Sequence, residues 1–540
     1  MADTMTAPPA AHSAQEARLA KNFAEYEHYL ARAEGYLAEG ELDAAAVHCT
    51  IASHIAVQNH CGVFWSPRLE KILNTIGRSI PDNAPVRERP TQVKRILQVG
   101  TQMAAVGGLT KMLSLWVNAD ATREHSLVLT QQHGATPAFV REAFGGRVEN
   151  LNHRPGGFIE WAKRLREIAR GYDLVILHTH CEDVVPLLAF ADPAKSPPIV
   201  ILNHADHLFW FGPSIAHLSI NLRDAAQDLA IGRRGIAPER NILVPTLSEG
   251  VVRTRSREDA KRELGINPSM TLMVSVARKL KYRTLNGVTF ADIHAPLLEK
   301  HPNAMLMVVG ADEPEDWAPV RAKVGDRLRS TPELPNPKIY FEAADIYVDS
   351  FPFVSSTSLM EASGYGIPSA TIFLAPDEAR IFGINHVALV GTVQQARSLD
   401  AYRAIVNEMI RDPVHRNALG EAAREAVARE HNTPGWMRWI EAAYAKALDL
   451  PVLDNRAMLE GIEAPRFGEP DWRHEDMFGG HWPTAQYLKS YMGVLPLSQR
   501  VKHWRELRSA GVFGSAASAV SHTLLPEWLK RYVKDGLLSQ

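Results

Sequence analysis

The sequence predicts an α/β chain of two Rossmann-like domains facing a cleft, with an N-terminal all-helical, tetratricopeptide-like extension and a C-terminal helical tail. Three observations predict it. Short apolar runs alternate with helical stretches from Lys94 onward, a polar hinge (SEGVVRTRSRED, 248–259) interrupts that alternation, and strand formers are almost absent between Ala14 and Ile76.

Composition sets the outer bounds. At 540 residues, 46% hydrophobic and 22% charged, the chain exceeds one core and suits two domains plus appendages. With 59 Lys+Arg against 61 Asp+Glu the formal charge is −2, so no global field draws in nucleic acid, and a bound anion must be held by a local site. Cys49, Cys61 and Cys181 are odd in number and widely spaced. They fit neither a disulfide framework nor a zinc cluster and are expected as reduced thiols in a cytoplasmic protein. The first residues contain no apolar signal region and no stretch approaches 18 uninterrupted apolar residues, so neither secretion nor a membrane span is expected.

Residues 1–13, rich in Pro, Ala and Ser, are expected to be disordered. The segment 14–90 carries a helical extension and a linker. Tyr29, Ala33, Tyr36 and Leu37 form one apolar stripe, Ala44, Val47, Ile51 and Ile55 another, and Gly40 supplies the turn between them. One such hairpin falls short of the three or so repeats a free-standing solenoid needs, so it should dock on the body.

The first Rossmann-like domain spans 91–250, with strands at 95–100, 126–131, 173–179, 199–204, 217–222 and 241–246 and helices that include Leu109–Trp116 and Phe158–Ile168. The second spans 251–450, with strands at 271–277, 304–310, 346–350, 368–373 and 387–391, closed by helices at Tyr402–Ile410, Ala418–Ala428 and Trp436–Leu448. Ligands should bind at the carboxyl edges of the two sheets. In the tail, 451–540, residues 458–483 are aromatic-rich and expected to be irregular, while 501–511 and 525–538 read as short basic amphipathic helices. A surface belt packed back across the domains is the first expectation for them, and peripheral contact with the inner face of a membrane is the alternative.

The segment ADIYVDSFPFVSSTSLMEASGYGIP (344–368) is a strand, a loop and a helix that opens on Ser355, Ser356, Thr357 and Ser358. Hydroxyls and free backbone N–H groups at a helix N-terminus suit a diphosphate, and four hydroxyl residues exceed what one N-cap requires. Glu361, one turn further on, is placed to accept from the two hydroxyls of a ribose.

This pattern resembles the donor-binding segment of GT-B glycosyltransferases. Family 4 members of that class carry two Glu with seven residues between them; here the second is Glu361 and the first position is Phe353. The spacing is closer to the O-linked N-acetylglucosamine transferase-like group: Asp349 and Pro352 match its strand end, Thr357 and Ser358 its diphosphate-binding pair, and Glu361 its ribose-binding acid. Ser356 stands where that group often has His. The resemblance to the class spans roughly Lys94 to Leu448. It implies an acceptor domain at 91–250 and a nucleotide-sugar domain at 251–450. It also places Arg278 and Lys281 or Arg283 against the donor phosphates, Gly310 beside the base, and Gly107 with Gly108 under the transferred sugar or acceptor. A charged loop and a tight turn are the ordinary alternatives for these residues.

NHADHLFWFG (203–212) combines His204, Asp206 and His207 with three bulky aromatics at a strand end. An acceptor hydroxyl needs a base near neutral pH, which suits His207 or His204, with Asp206 orienting the imidazole. Metal binding by these residues with His178 and His180 is the rival, but the spacing matches no zinc pattern, and neither metal nor cofactor is expected. Arg223 is a further cleft candidate. The functional expectation is transfer of a sugar from a nucleotide diphosphate sugar to a hydroxyl of a surface glycan, lipid-linked or protein acceptor. The alternatives are a GT-B epimerase or a non-catalytic nucleotide-sugar-binding or scaffolding protein.

Overall fold

The structure is a computed structural model that describes residues 9–105, 107–461, 465–478 and 482–538. The chain divides into two compact units, one running from Pro245 to Trp436 and the other combining His12–Val244 with Met437–Gln540.

The second of these is organised by seven strands: β1 (Arg95–Gly100), β2 (Glu124–Leu129), β3 (Val148–Asn150), β4 (Leu174–His178), β5 (Ile199–Asn203), β6 (Leu218–Asn221) and β7 (Asn241–Leu243). They pair in parallel in the order β3-β2-β1-β4-β5-β6-β7, with Leu97 opposite Ser126 and Ile96 opposite Leu174. A parallel sheet covered on both faces needs apolar residues on both, and β4 and β5 are buried along their whole length. β1 has the expected bounds and the other expected strands differ by a few residues at their ends. β3 was not foreseen, because Val-Glu-Asn at a sheet edge carries no apolar run.

Helices Pro9–Ala38, Leu42–Gln58 and Pro67–Ser79 precede this sheet. The first begins inside the segment expected to be disordered (1–13): Pro at the first helical position and the alanines after it favour a helix, while residues 1–8 lie outside the described residues. Gly40 makes the turn with φ +76°. In Leu42–Gln58 thirteen of 17 residues are buried, so the helix is internal rather than amphipathic. One core joins Ile51 and Leu73 of these helices to Leu97 and Val99 of β1 and to Leu488 and Met492 of the tail, which is how the extension docks.

The tail forms helices Arg456–Leu459, Glu469–Phe478, Thr484–Tyr491, Leu497–Ser509, Ala516–Leu524 and Glu527–Leu538. The expectation of irregular structure at 458–483 is corrected at Glu469–Phe478. That helix is held by tertiary partners that local propensity cannot register: Asp471 meets His60 at 2.8 Å and Arg233 at 3.0 Å, all within this unit. The basic helix Leu497–Ser509 packs back on the body through Arg500, His503 and Leu507.

The unit Pro245–Trp436 contains β8 (Thr271–Val276), β9 (Ala304–Val309), β10 (Leu328–Thr331), β11 (Ile346–Val348), β12 (Ser369–Ile372) and β13 (Gln394–Ala396), parallel in the order β10-β9-β8-β11-β12-β13. The strand expected at 387–391 is a turn instead. Ala388 adopts φ +67°, and the carbonyl of Leu389 accepts from Val393 N at 2.9 Å, so the apolar run coils to bury Leu389 and Val393. The strand at this sheet edge is β13, three residues beyond. Helices Leu399–Arg411 and Pro413–His431 cover this sheet region, the second capped by Asp412, whose side chain accepts from Val414 N and His415 N. Among the described residues no helix is long and apolar enough to cross a membrane.

Candidate functional site

The helix Ser356–Gly364 starts eight residues after β11, at the carboxyl end of the strand. Two anchors fix its approach. The buried carboxylate of Asp349 accepts from Ser355 N at 3.0 Å through one oxygen and from Thr371 Oγ1 of β12 at 3.0 Å through the other. From the opposite side the loop after β8 reaches over, with Tyr282 bridging Pro352. Burial pushes the Asp349 carboxyl up to about 6, although Ser355 N–H and nearby Lys281 pull it down.

Lys281 lands at the helix mouth. Its ammonium lies 3.2 Å from the Val354 carbonyl oxygen and 3.3 Å from Ser355 Oγ, and 4.7 Å from the ring centre of Phe353. Phe353, which replaces an acid in the family 4 pattern, therefore faces a cation. Ser355 Oγ and Ser358 Oγ are 3.1 Å apart, Ser356 is half-buried and Thr357 is exposed. Hydroxyls, a cation and the partial positive charge of the helix thus converge on one point. Arg278 and Arg283 are exposed on the same loop, so Lys281 is the basic residue of the three that the structure brings to the hydroxyls. Glu361 is half-buried one turn on. Gly310, after β9, has φ +99°, and a Cβ there would stand 1.9 Å from the Ala277 carbonyl oxygen. The close approach it permits here is between neighbouring strand ends.

In the other unit, Gly107 and Gly108 open the helix Gly108–Ala119, and a Cβ on either would meet nothing within 4 Å. Packing does not demand these glycines, whereas Gly107 at φ +157° lies outside the usual range for other residues.

The histidines separate by environment. His178 is a core residue: its Nε2 meets Gln98 Oε1 at 2.7 Å, and burial pushes it down to about 3. His204 turns its Nδ1 toward its own strand, 3.2 Å from the Leu202 carbonyl oxygen, and burial lowers it to about 4. Burial pulls His180 down too, but Glu182, 3.7 Å away, more than offsets it. His207 is half-buried, with Nδ1 3.2 Å from Asp206 Oδ1 and its ring stacked on Phe478 at 5.1 Å and 17°. Asp206 is in turn gripped by one edge of the Arg223 guanidinium, whose Nε donates to Oδ2 at 2.5 Å and whose Nη2 donates to Oδ1 at 2.6 Å. Burial alone would raise the Asp206 carboxyl, yet the Arg223 guanidinium holds it well below the usual carboxylate range. Arg223, expected only as a cleft residue, is thereby the partner that fixes Asp206. Phe478 was not among the sequence candidates; the aromatic richness of 458–483 was its one signal. Among the described residues no group of three or more His, Cys, Asp and Glu is arranged to hold a metal ion.

No family model and no curated protein matches the chain. Solved structures do. The chain is similar to Alr3699/HepE of Anabaena in complex with UDP, at 14% identity over 65% of this chain and 99% of that one, with a TM-score of 0.50. A glycosyltransferase from Rickettsia africae ESF-5 aligns at 12% identity over 66% of this chain and 99% of that one, also with a TM-score of 0.50. An O-GlcNAc transferase of Thermobaculum terrenum aligns at 14% identity over 80% of this chain and 84% of that one, with a TM-score of 0.48. Likeness at this level of identity establishes the fold alone: two parallel α/β sheets of the GT-B type.

Proposed function

We propose that the protein transfers a sugar from a nucleotide diphosphate sugar to an acceptor hydroxyl, with the diphosphate on the N-terminus of helix Ser356–Gly364. The observation that carries this reading is the convergence of Lys281, Ser355 and Ser358 at the carboxyl end of β11, in a fold shared with a protein whose complex contains UDP. Lys281 neutralises phosphate charge, Ser356, Thr357 and Ser358 donate to phosphate oxygens, and Glu361 accepts from the ribose. Exposed Arg278 and Arg283 supply further positive charge along the same loop, and Gly310 borders the base. Gly107 and Gly108 leave backbone room for the transferred sugar. No resident cofactor enters the scheme.

His207 is the proposed base. Asp206, immobilised by Arg223, accepts from Nδ1–H and so leaves Nε2 as the nitrogen that takes the acceptor's proton. His204 faces its own strand's carbonyl and suits that role less well. Titration of the native chain with a panel of UDP-, GDP- and TDP-sugars, followed by assay of slow donor hydrolysis, tests the reading; binding of none of them would defeat it.

The acceptor is met at a lipid surface in this reading, because of an observation in the tail. Val501, Trp504, Phe513, Val520 and Leu524 wall an apolar groove, and Val501, Val520 and Leu524 are each more than half exposed. Lys502, Arg505 and Arg508 flank it. Exposed Lys502, Arg505 and Arg508 outnumber exposed Glu506 there, in a chain whose overall charge is −2. Anionic headgroups match that local excess, and the groove takes up acyl chain.

A further inference from the structure

A second cavity belongs to neither the donor site nor the His207 cluster. It lies at the carboxyl ends of β2 and β3, where Gln131 and His133 follow one strand and Asn152 follows the other, and helices of the tail close it. Its volume is about 360 Å³, within the range of about 300–1,000 Å³ that small-molecule sites occupy. The carboxyl edge of a parallel sheet is where such folds bind ligands.

The lining is chemically specific. Half-buried Tyr491 supplies an aromatic wall that suits the C–H face of a sugar ring, and buried Trp161 borders the same cavity. Asn152 is 1% exposed; its Nδ2 donates to the Gln132 carbonyl at 2.8 Å, while its Oδ1 has no hydrogen-bond partner. A buried amide oxygen left unpaired is costly unless a ligand hydroxyl completes it. Charge decides the rest. Glu527 is matched by Arg531 at 2.6 Å, and Arg531 also reaches the His133 ring at 3.2 Å. Lys530 is half-buried and makes no salt bridge of its own among the described residues. The cavity therefore holds one positive charge in excess. Burial, with Arg500 and Arg531 nearby, makes that ammonium less comfortable than in water, and Glu527 only partly relieves it.

We propose that this cavity binds a sugar unit carrying one anionic group, a carboxylate or a phosphate, with the anion on Lys530, the ring against Tyr491, and hydroxyls on Gln131 and Asn152. Its role as the place where an anionic acceptor glycan is held rests on the transferase reading; the binding itself does not. It also gives the C-terminal tail a function, since Lys530, Arg531 and Tyr491 all come from it.

The test is calorimetric titration of the full chain with glucose, glucose 6-phosphate, glucuronate and inorganic phosphate, with UDP, GDP and TDP titrated in parallel. The proposal expects at least one anionic sugar to bind tenfold or more tighter than both glucose and inorganic phosphate. Lys530→Met should erase the preference over glucose, and Gln131→Ala, at a half-exposed position that cannot unfold the chain, should weaken the anionic sugars by several-fold. The two sugars tell a phosphate preference from a carboxylate one. Equal binding of glucose and both anionic sugars, binding of neither anionic sugar, phosphate binding as tight as glucose 6-phosphate, or a preference that survives Lys530→Met would each overturn it. Anionic sugar binding without binding of UDP, GDP or TDP would uphold this cavity and defeat the donor assignment, and the reverse would defeat this cavity alone.

Discussion

Lys281 holds its ammonium 3.3 Å from Ser355 Oγ, joining the loop after β8 to the mouth of the helix after β11. A cation and hydroxyls distant in sequence are thereby set together at the carboxyl edge of the sheet. Pre-setting of this kind makes electrostatic recognition effective, because little reorganisation remains to be done on binding.

In the proposed scheme Glu361, on the turn beyond those hydroxyls, is the residue that tells ribose recognition from phosphate recognition. Glu361→Gln should weaken UDP by roughly tenfold or more, as expected for a hydrogen bond that loses its charged partner, while pyrophosphate binds as before. Competition titrations with both ligands check this, and equal losses for the two would remove the ribose role.

Asp349 gives the unit Pro245–Trp436 a pH signature. Its folded carboxyl, pushed by burial to about 6, lies above the ordinary 3.8. The native state therefore holds the proton more tightly than the unfolded chain, so this contribution to stability is complete below about pH 4 and is lost as pH rises through about 6. Asp349→Asn should remove about 2–3 kcal/mol of that pH dependence. Urea unfolding of both proteins at the two ends of the window measures it. Glu70, in the other unit and pushed up to about 7 by burial, slopes the same way in both proteins and cancels in the difference. Identical slopes would mean that folding does not raise the Asp349 carboxyl.

His207→Ala should cut transfer by roughly 10²–10⁴-fold, the usual yield of general acid–base catalysis, with UDP affinity unchanged. Phe478→Leu, which removes the ring stacked on His207, should blunt transfer without abolishing it. Full activity in His207→Ala would move the base elsewhere.

The two parallel sheets were legible in the sequence because buried parallel strands are continuous apolar runs, and β1, β4, β5, β8 and β9 are of that kind. β3 and β10 were not, since edge strands of three or four partly exposed residues carry no period. At the site, the Ser355–Ser358 run and Lys281 were visible as a cap longer than one cap needs and a charge cluster after a strand. The grip of Arg223 on Asp206 and the stack of Phe478 on His207 were not visible, because both depend on which distant segments the fold brings together. The same limit hid the helix Glu469–Phe478, whose stability comes from His60 and Arg233 rather than from its own sequence.

The tail groove predicts sedimentation with vesicles containing phosphatidylglycerol and much less with phosphatidylcholine alone. Arg505→Glu with Arg508→Glu should cost about 2 kcal/mol or more of that binding, at about 1 kcal/mol for each basic residue near the surface. Added salt should weaken it as well. Equal sedimentation with both lipids, insensitive to the two substitutions, would exclude this surface.

Calorimetric titration of UDP, GDP and TDP into the native chain, into Lys281→Met and into the double variant Thr357→Ala, Ser358→Ala tests the central claim most directly. The account predicts that one nucleoside diphosphate binds the native chain and that each variant weakens it by roughly tenfold or more, since hydrogen bonds to charged groups contribute about 1.5–3 kcal/mol each. Affinity unchanged in both variants, or absence of nucleotide binding to the native chain, would contradict it.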